Sequence, residues 1–330
     1  MPPLPRLAGT ATAVLALGLV GAAPAPGTDP VVTAARVVAH FDPAARQTPE
    51  NIALEPDGSA DLTLALARQI ARVTPDGRTR ILATLPAVAN PATPVVRGAV
   101  VTGIARAHDG TLYVNYATGT SATGIWRLSP AGGAPQRIAA LPADGLPNGL
   151  ALDERRGVLY AADSVHGTVW SVPRAGGTPT DWASDTALTP LSAAPASGSG
   201  SGSGANGIKV HRGAVWVSNT DRGTLLRFPV GPDGSAGPVE TRTTGLDGVD
   251  DFAFPGQGRS VLAALNDGSR VVLVSPDGTV TTVLTAQDGL SNPTAVAVRG
   301  RTVYVPSGAY VTRRDPNLLL ARLRHLVDHR

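Results

Sequence analysis

Polar and apolar residues alternate along this chain in short stretches, and the stretches repeat. One unit recurs: a short apolar run, a turn carrying Asp-Gly or Arg-Gly, a β-branched or aromatic strand, a polar turn and a further strand. Its copies open at PENIALEPDG (from Pro49), VTGIARAHDGTLYVNY (from Val101), PNGLALDERRGVLYAAD (from Pro147), ANGIKVHRGAVWVSN (from Ala205), VDDFAFPGQGRSVLAAL (from Val249) and NPTAVAVRGRTVYVPS (from Asn292). Aligning them puts Glu50, Thr102, Asn148, Asn206, Asp250 and Pro293 at one position, with successive spacings of 52, 46, 58, 44 and 43 residues. Alternation over such short segments predicts strands. A period in the forties with four strands per unit predicts propeller blades. The expected fold is therefore all-β, a six-bladed β-propeller. GIWRLSP, GTVWSVP, GTLLRFP and RVVLVSP read as third strands. The segment Val31 to Asp42, ahead of the first copy, reads as the outermost strand of blade six, so an N-terminal strand closes the ring and removes exposed edges.

Outside the repeats the pattern changes. Arg6 precedes an apolar run from Leu7 to Gly21, and Ala22, Ala23 and Ala25 suit a signal peptidase. This predicts a signal peptide over residues 1–27, a propeller over 28–312 and a secreted, extracellular protein. No cysteine follows the run, which excludes a lipoprotein. The tail, 313–330, reads as a short amphipathic helix with Leu319, Leu323 and Leu326 on one face. Two insertions, 86–98 (Pro-rich) and 187–204 (Gly/Ser-rich), join blades one to two and three to four, on the face where they could act as lids.

Composition narrows the chemistry. With no cysteine there is no disulfide framework, thiolate zinc site or cysteine nucleophile. The net charge is +3 and Lys209 is the only lysine. No basic run is interleaved with aromatics, so no nucleic-acid partner is expected. A small-molecule substrate is expected instead, met by a monomer that keeps no membrane contact once the signal is removed.

The aligned position is the candidate site. In a propeller the innermost strand of each blade lines the central channel, and its first residue stands at the mouth on the face called top here. Glu50, Asn148, Asn206 and Asp250 bring oxygen donors there, a set suited to calcium or another divalent cation. Two carboxylates against one dication leave the site near neutral. Asn and Asp also favour turns ahead of strands, so each residue singly says little; four at one repeat position say more. Asn115, Tyr116, Asn219, Asp221, Asn266, Asp267 and Tyr310 also fall on the top face and predict a wide polar mouth. Among the histidines, His108 and His211 fall in bottom turns, expected to be exposed, and His325 and His329 in the tail; only His40 and His166 could reach a substrate. His166, in a top-face turn of blade three, is a candidate catalytic base. No G-x-S-x-G elbow supports a serine triad.

These motifs resemble the senescence-marker-protein/gluconolactonase family, part of the calcium-dependent six-bladed propellers that include paraoxonases and diisopropyl-fluorophosphatase. PENIALEPDG resembles its first-blade motif with the glutamate at Glu50, LPNGLALD and ANGIKV its Asn-Gly motifs at Asn148 and Asn206, and VDDFAF stands where it has an aspartate, at Asp250. The resemblance runs from about Val31 to Tyr310. It implies a calcium ion that polarises a lactone carbonyl or phosphoryl oxygen, with Asp250 or a water on the metal as the catalytic group. Asp251 is a further carboxylate beside it. The chain departs from the pattern at Leu146, where gluconolactonases place an arginine, and at Asn51, where glycine is usual. Asn51 also occurs in secreted relatives, including fungal propellers that resemble pericyclases. A calcium-dependent hydrolase of lactones or related esters is thus the expected function. The alternatives are a ligand- or partner-binding propeller with a structural calcium, and a lyase or cyclase.

Overall fold

A computed structural model describes residues 31–191 and 202–324. The expected signal peptide and residues 192–201 of the second insertion lie outside the described residues, as do His325, Leu326 and His329.

Six four-stranded antiparallel sheets follow one another along the chain. Their innermost strands are Pro49–Leu54, Val100–Arg106, Pro147–Asp153, Ala205–His211, Val249–Ala253 and Ala297–Arg299. Each packs beside the next, and Ala297–Arg299 packs beside both the fifth and the first, so the ring closes. This is the expected six-bladed propeller. The apolar core is divided into layers between successive blades: Ile70, Val101 and Tyr116 between blades one and two, Tyr160, Ile208 and Phe228 between three and four, and Leu262, Val305 and Leu319 between five and six. Among the described residues no helix is long and apolar enough to cross a membrane.

Blade six has the order Ala297–Arg299, Thr302–Ser307, Asn317–Leu323 and Val32–His40. The N-terminal strand is outermost, as expected. The third strand corrects the expectation of a C-terminal helix: Asn317–Leu323 pairs with Thr302–Ser307 on one side and Val32–His40 on the other. Leu318, Leu319, Leu320 and Ala321 are all buried. A strand covered on both faces shows a continuous apolar run in place of alternation, and leucines four apart then imitate a helix face.

Candidate metal centre

The inner strands share an irregularity that builds the channel mouth. In five blades the register against the second strand shifts once, between Pro49 and Ile52, Val101 and Ile104, Pro147 and Leu150, Ala205 and Ile208, and Val249 and Phe252. The residue pair inside each shift sits in a β-bulge, which breaks the in-out alternation and re-aims side chains. Glu50, Thr102, Asn148, Asn206 and Asp250 each occupy its first place. Blade six corrects the alignment by one residue. Pro293 bridges to Ser307 as Pro147 pairs with Asp163, so the equivalent of Glu50 is Thr294. Prolines at Pro49, Pro147 and Pro293 share the preceding place. Thr294 is fully buried, and its hydroxyl donates to Pro49 O at 3.1 Å.

A relay of short polar side chains ties each bulge to the next blade. The Thr63 hydroxyl accepts from Asn51 N and donates to Thr102 O. The Ser218 hydroxyl accepts from Gly207 N and donates to Asp250 O. Asn115 donates to Asn148 O and Gly149 O. This relay also orients the two ring amides. The Ser164 hydroxyl donates to Ala205 O at 2.7 Å, and the Thr220 hydroxyl to Val249 O at 2.7 Å. With its hydrogen so engaged, each hydroxyl is left only to accept. Asn148 and Asn206 therefore present their Nδ2 groups to Ser164 and Thr220, at 3.2 and 2.9 Å. Their Oδ1 atoms accept no hydrogen bond among the described residues.

Glycine lets the blades come this close. A Cβ on Gly149 would lie 2.3 Å from Asn206 O, and one on Gly103 would lie 2.4 Å from Asn148 O.

The four predicted ligands have similar, low exposures: Glu50 9%, Asn148 8%, Asn206 7% and Asp250 8%. Each is buried short of completely. Burial pushes the Glu50 carboxyl up to about 7, against a hydrogen bond from Tyr310 and with Asp251 nearby raising it further. Asp250 is raised well above the usual carboxylate range by burial and by the facing charges of Glu50 and Asp251, while Asn266 and Asn206 offset part of the rise. Tyr310 occupies Glu50 Oε2, and Asn266 Nδ2 reaches Asp250 Oδ2 at 3.2 Å. Among the described residues no arginine, lysine or histidine forms an ion pair with either carboxylate. Two buried carboxylates that face each other without a protein cation, beside two amide oxygens without a donor, fit a hard divalent ion. Among the described residues no three His, Cys, Asp or Glu gather as a metal cluster; the ring is half amide.

The other predicted residues divide by role. Asn115 and Asn266 support the ring. Tyr116 is buried and its hydroxyl donates to Pro86 O, so it anchors the first insertion. Asn219 donates to Ala187 O and Thr189 O, and Asp221 accepts from Leu191 N and Gly202 N, so both hold the described ends of the second. His166 binds Asp163 through Nδ1 at 3.0 Å and stands 3.5 Å from Asp144 through Nε2. The Asp163 hydrogen bond raises its pKa; its described contacts do not include the ring residues. His40 is exposed and pairs with Asp315. His211 is not the exposed residue expected: it is half-buried, stacks on Phe254 at 3.8 Å and has its pKa lowered by burial. Thr294, Ser164 and Thr220 were missed as builders of the site, since a hydroxyl at a strand end carries no signal until its neighbours are known.

No family model and no curated protein matches the chain. Solved structures do. A calcium-binding regucalcin from Agrobacterium tumefaciens has a TM-score of 0.63 at 16% identity, over 88% of this chain and 93% of that one. A gluconolactonase from Xanthomonas campestris has 0.61 at 16% identity, over 91% and 99%. Virginiamycin B lyase from Staphylococcus aureus has 0.55 at 12% identity, over 84% and 96%. The architecture is thus that of β-propellers such as regucalcin and gluconolactonase, the family that the sequence motifs resemble.

Proposed function

We propose that the chain is a secreted hydrolase of lactones or related esters that uses calcium, held by Glu50, Asn148, Asn206 and Asp250. One observation supports this reading: Glu50 and Asp250 are buried carboxylates close enough for the charge of Glu50 to raise Asp250, and neither forms an ion pair among the described residues, while Asn148 and Asn206 stand at the equivalent bulge places. The names of the regucalcin and gluconolactonase neighbours agree with it. A bound divalent ion supplies Lewis-acid polarisation of the scissile carbonyl.

The chain's own residues do the rest. Ser164 and Thr220 fix the amides, Tyr310 fixes Glu50, and Asn266 fixes Asp250, so the ring is set before a substrate arrives. Asp250 Oδ1 takes the proton from an attacking water. The ring-opening oxygen receives that proton as the acyl C–O bond breaks. His166 offers a second base at the rim through Nε2, against the pull of Asp144.

Leu146 favours a less polar substrate than a sugar acid. It is buried against Ala65, Val100 and Ala117, where gluconolactonases place an arginine. The virginiamycin B lyase neighbours fit a second reading, a lyase or cyclase. A binding propeller with a structural calcium is the third.

Metal analysis of the purified protein, with a panel of lactones and aryl esters assayed with and without chelator, tests the proposal. One calcium per chain, and turnover that chelator removes and calcium restores, is the expected result. Bound calcium with no chelator-sensitive turnover overturns the hydrolase and favours the binding propeller.

A further inference from the structure

Each bulge has a second place, and these form a layer directly following the ring: Asn51, Gly103, Gly149, Gly207, Asp251 and, in blade six, Ala295. Four are glycine or alanine. The two functional side chains follow the two ring carboxylates, and they meet. Asn51 Nδ2 donates to Asp251 Oδ2 at 3.0 Å, joining blade one to blade five past the alanine of blade six. Lys209 reaches the same carboxylate from blade four, donating to Oδ1 and Oδ2 at 2.6 and 2.5 Å. Asp251 is 1% exposed. Its Oδ1 also takes the Phe252 N–H, and the ammonium lies 5.6 Å from the Phe252 ring centroid. The packing is tight: a Cβ on Gly207 would lie 2.4 Å from Asp251 Oδ1.

Both oxygens of Asp251 are thus engaged, so it does not offer a free lone pair to the ring as Glu50 and Asp250 do. It contributes charge. The channel holds three carboxylates, Glu50, Asp250 and Asp251, against one ammonium, and two negative charges remain. We propose that Lys209, locked onto Asp251, is a specificity-determining residue that matches the channel's charge to a divalent ion. This rests on the ring being a cation site. Asn51, through the same carboxylate, holds the strands bearing Glu50 and Asp250 at a set separation.

The test compares ions of similar size and different charge. Calcium and terbium affinities of the full-length chain are measured by titration calorimetry at one fixed pH, with thermal melts to confirm folding. Affinity in oxygen-ligand sites follows the ligand charge count, so Lys209→Met should raise the terbium-to-calcium affinity ratio about tenfold. Asp251→Asn, which strands the ammonium, should lower that ratio about tenfold. The double variant should return near the wild-type ratio. A loosened fold weakens both ions together and leaves the ratio alone, which separates charge matching from packing. If Lys209→Met fails to fold, Asp251→Asn and the double variant still decide. Unchanged ratios in variants that bind calcium overturn the role of Lys209. A wild-type chain that binds neither ion overturns the cation site itself.

Discussion

The inner strand of blade one has a glutamate near each end, and the two are treated oppositely. At the bottom, Glu55 lies with Asp61, which is fully buried. Arg72 donates to Asp61 Oδ1 and Oδ2 at 2.7 and 2.9 Å and also pairs with Glu55, and Arg106 reaches Glu55 Oε2 at 2.9 Å. Burial works to raise both acids. Arg106 and Arg72 outweigh it at Glu55, which is lowered, while Asp61 stays raised at about 6. At the top, Glu50 and Asp250 are also buried, and no arginine among the described residues pairs with them. At the bottom the chain supplies guanidinium groups to its buried carboxylates. Their omission at the mouth, on the same strand, supports the proposal that this charge is reserved for an outside cation.

Breaking the two ends should therefore damage different properties. The largest effect is expected from Asp250→Ala, which should cut turnover about 10²–10⁴-fold. Melting temperature without calcium should hold or rise, because a buried carboxyl with no protein counterion is removed. Retained turnover would contradict the role of Asp250. Arg72→Ala should do the reverse. It leaves Asp61 buried and unpaired, costing on the order of 3 kcal/mol in denaturant unfolding, with calcium affinity unchanged in the folded fraction. Next, Thr220→Val removes the acceptor that orients Asn206 and should weaken calcium binding about tenfold in calorimetry, as outer partners of metal ligands do.

The smallest effect is a pH profile. Glu50, at about 7, keeps its proton in the folded, ion-free protein over a range where the unfolded chain, with an ordinary value of 4.5, has lost it. That stabilisation is complete below about pH 4.5 and is lost as pH rises through 7. Asp250 and Asp61, also raised, act with the same sign. Melting temperature without calcium should fall by a few degrees between about pH 5 and pH 7.5. If calcium binds as proposed it displaces these protons, so its stabilising effect should grow over the same range. A flat profile without calcium would remove the contrast between the two ends.

Much of this was legible in the sequence. The bulge recurs in five of the six units, so the repeat itself aligned Glu50, Asn148, Asn206 and Asp250. Blade six misled by one place because its proline resembles a landmark: Pro293 matches Pro49 and Pro147, and the ring residue is the threonine after it. The tail misled because its strand is covered on both sides. The Asn51–Asp251–Lys209 tie was not legible at all. It joins blades one, four and five, and nothing local to any of them announces a partner across a channel.

The closing sheet has a consequence for how the molecule comes to exist. Val32 pairs with Leu323, and His40 with Asn317, so the first described strand finds its partner only among the last. Five blades can assemble as neighbouring sequence emerges, since their strands pair locally. The sixth must wait for nearly the whole chain. Until then the first strand presents an open edge, a surface that invites pairing with other chains. The step that seals the ring is thus also the one that ends its exposure to aggregation.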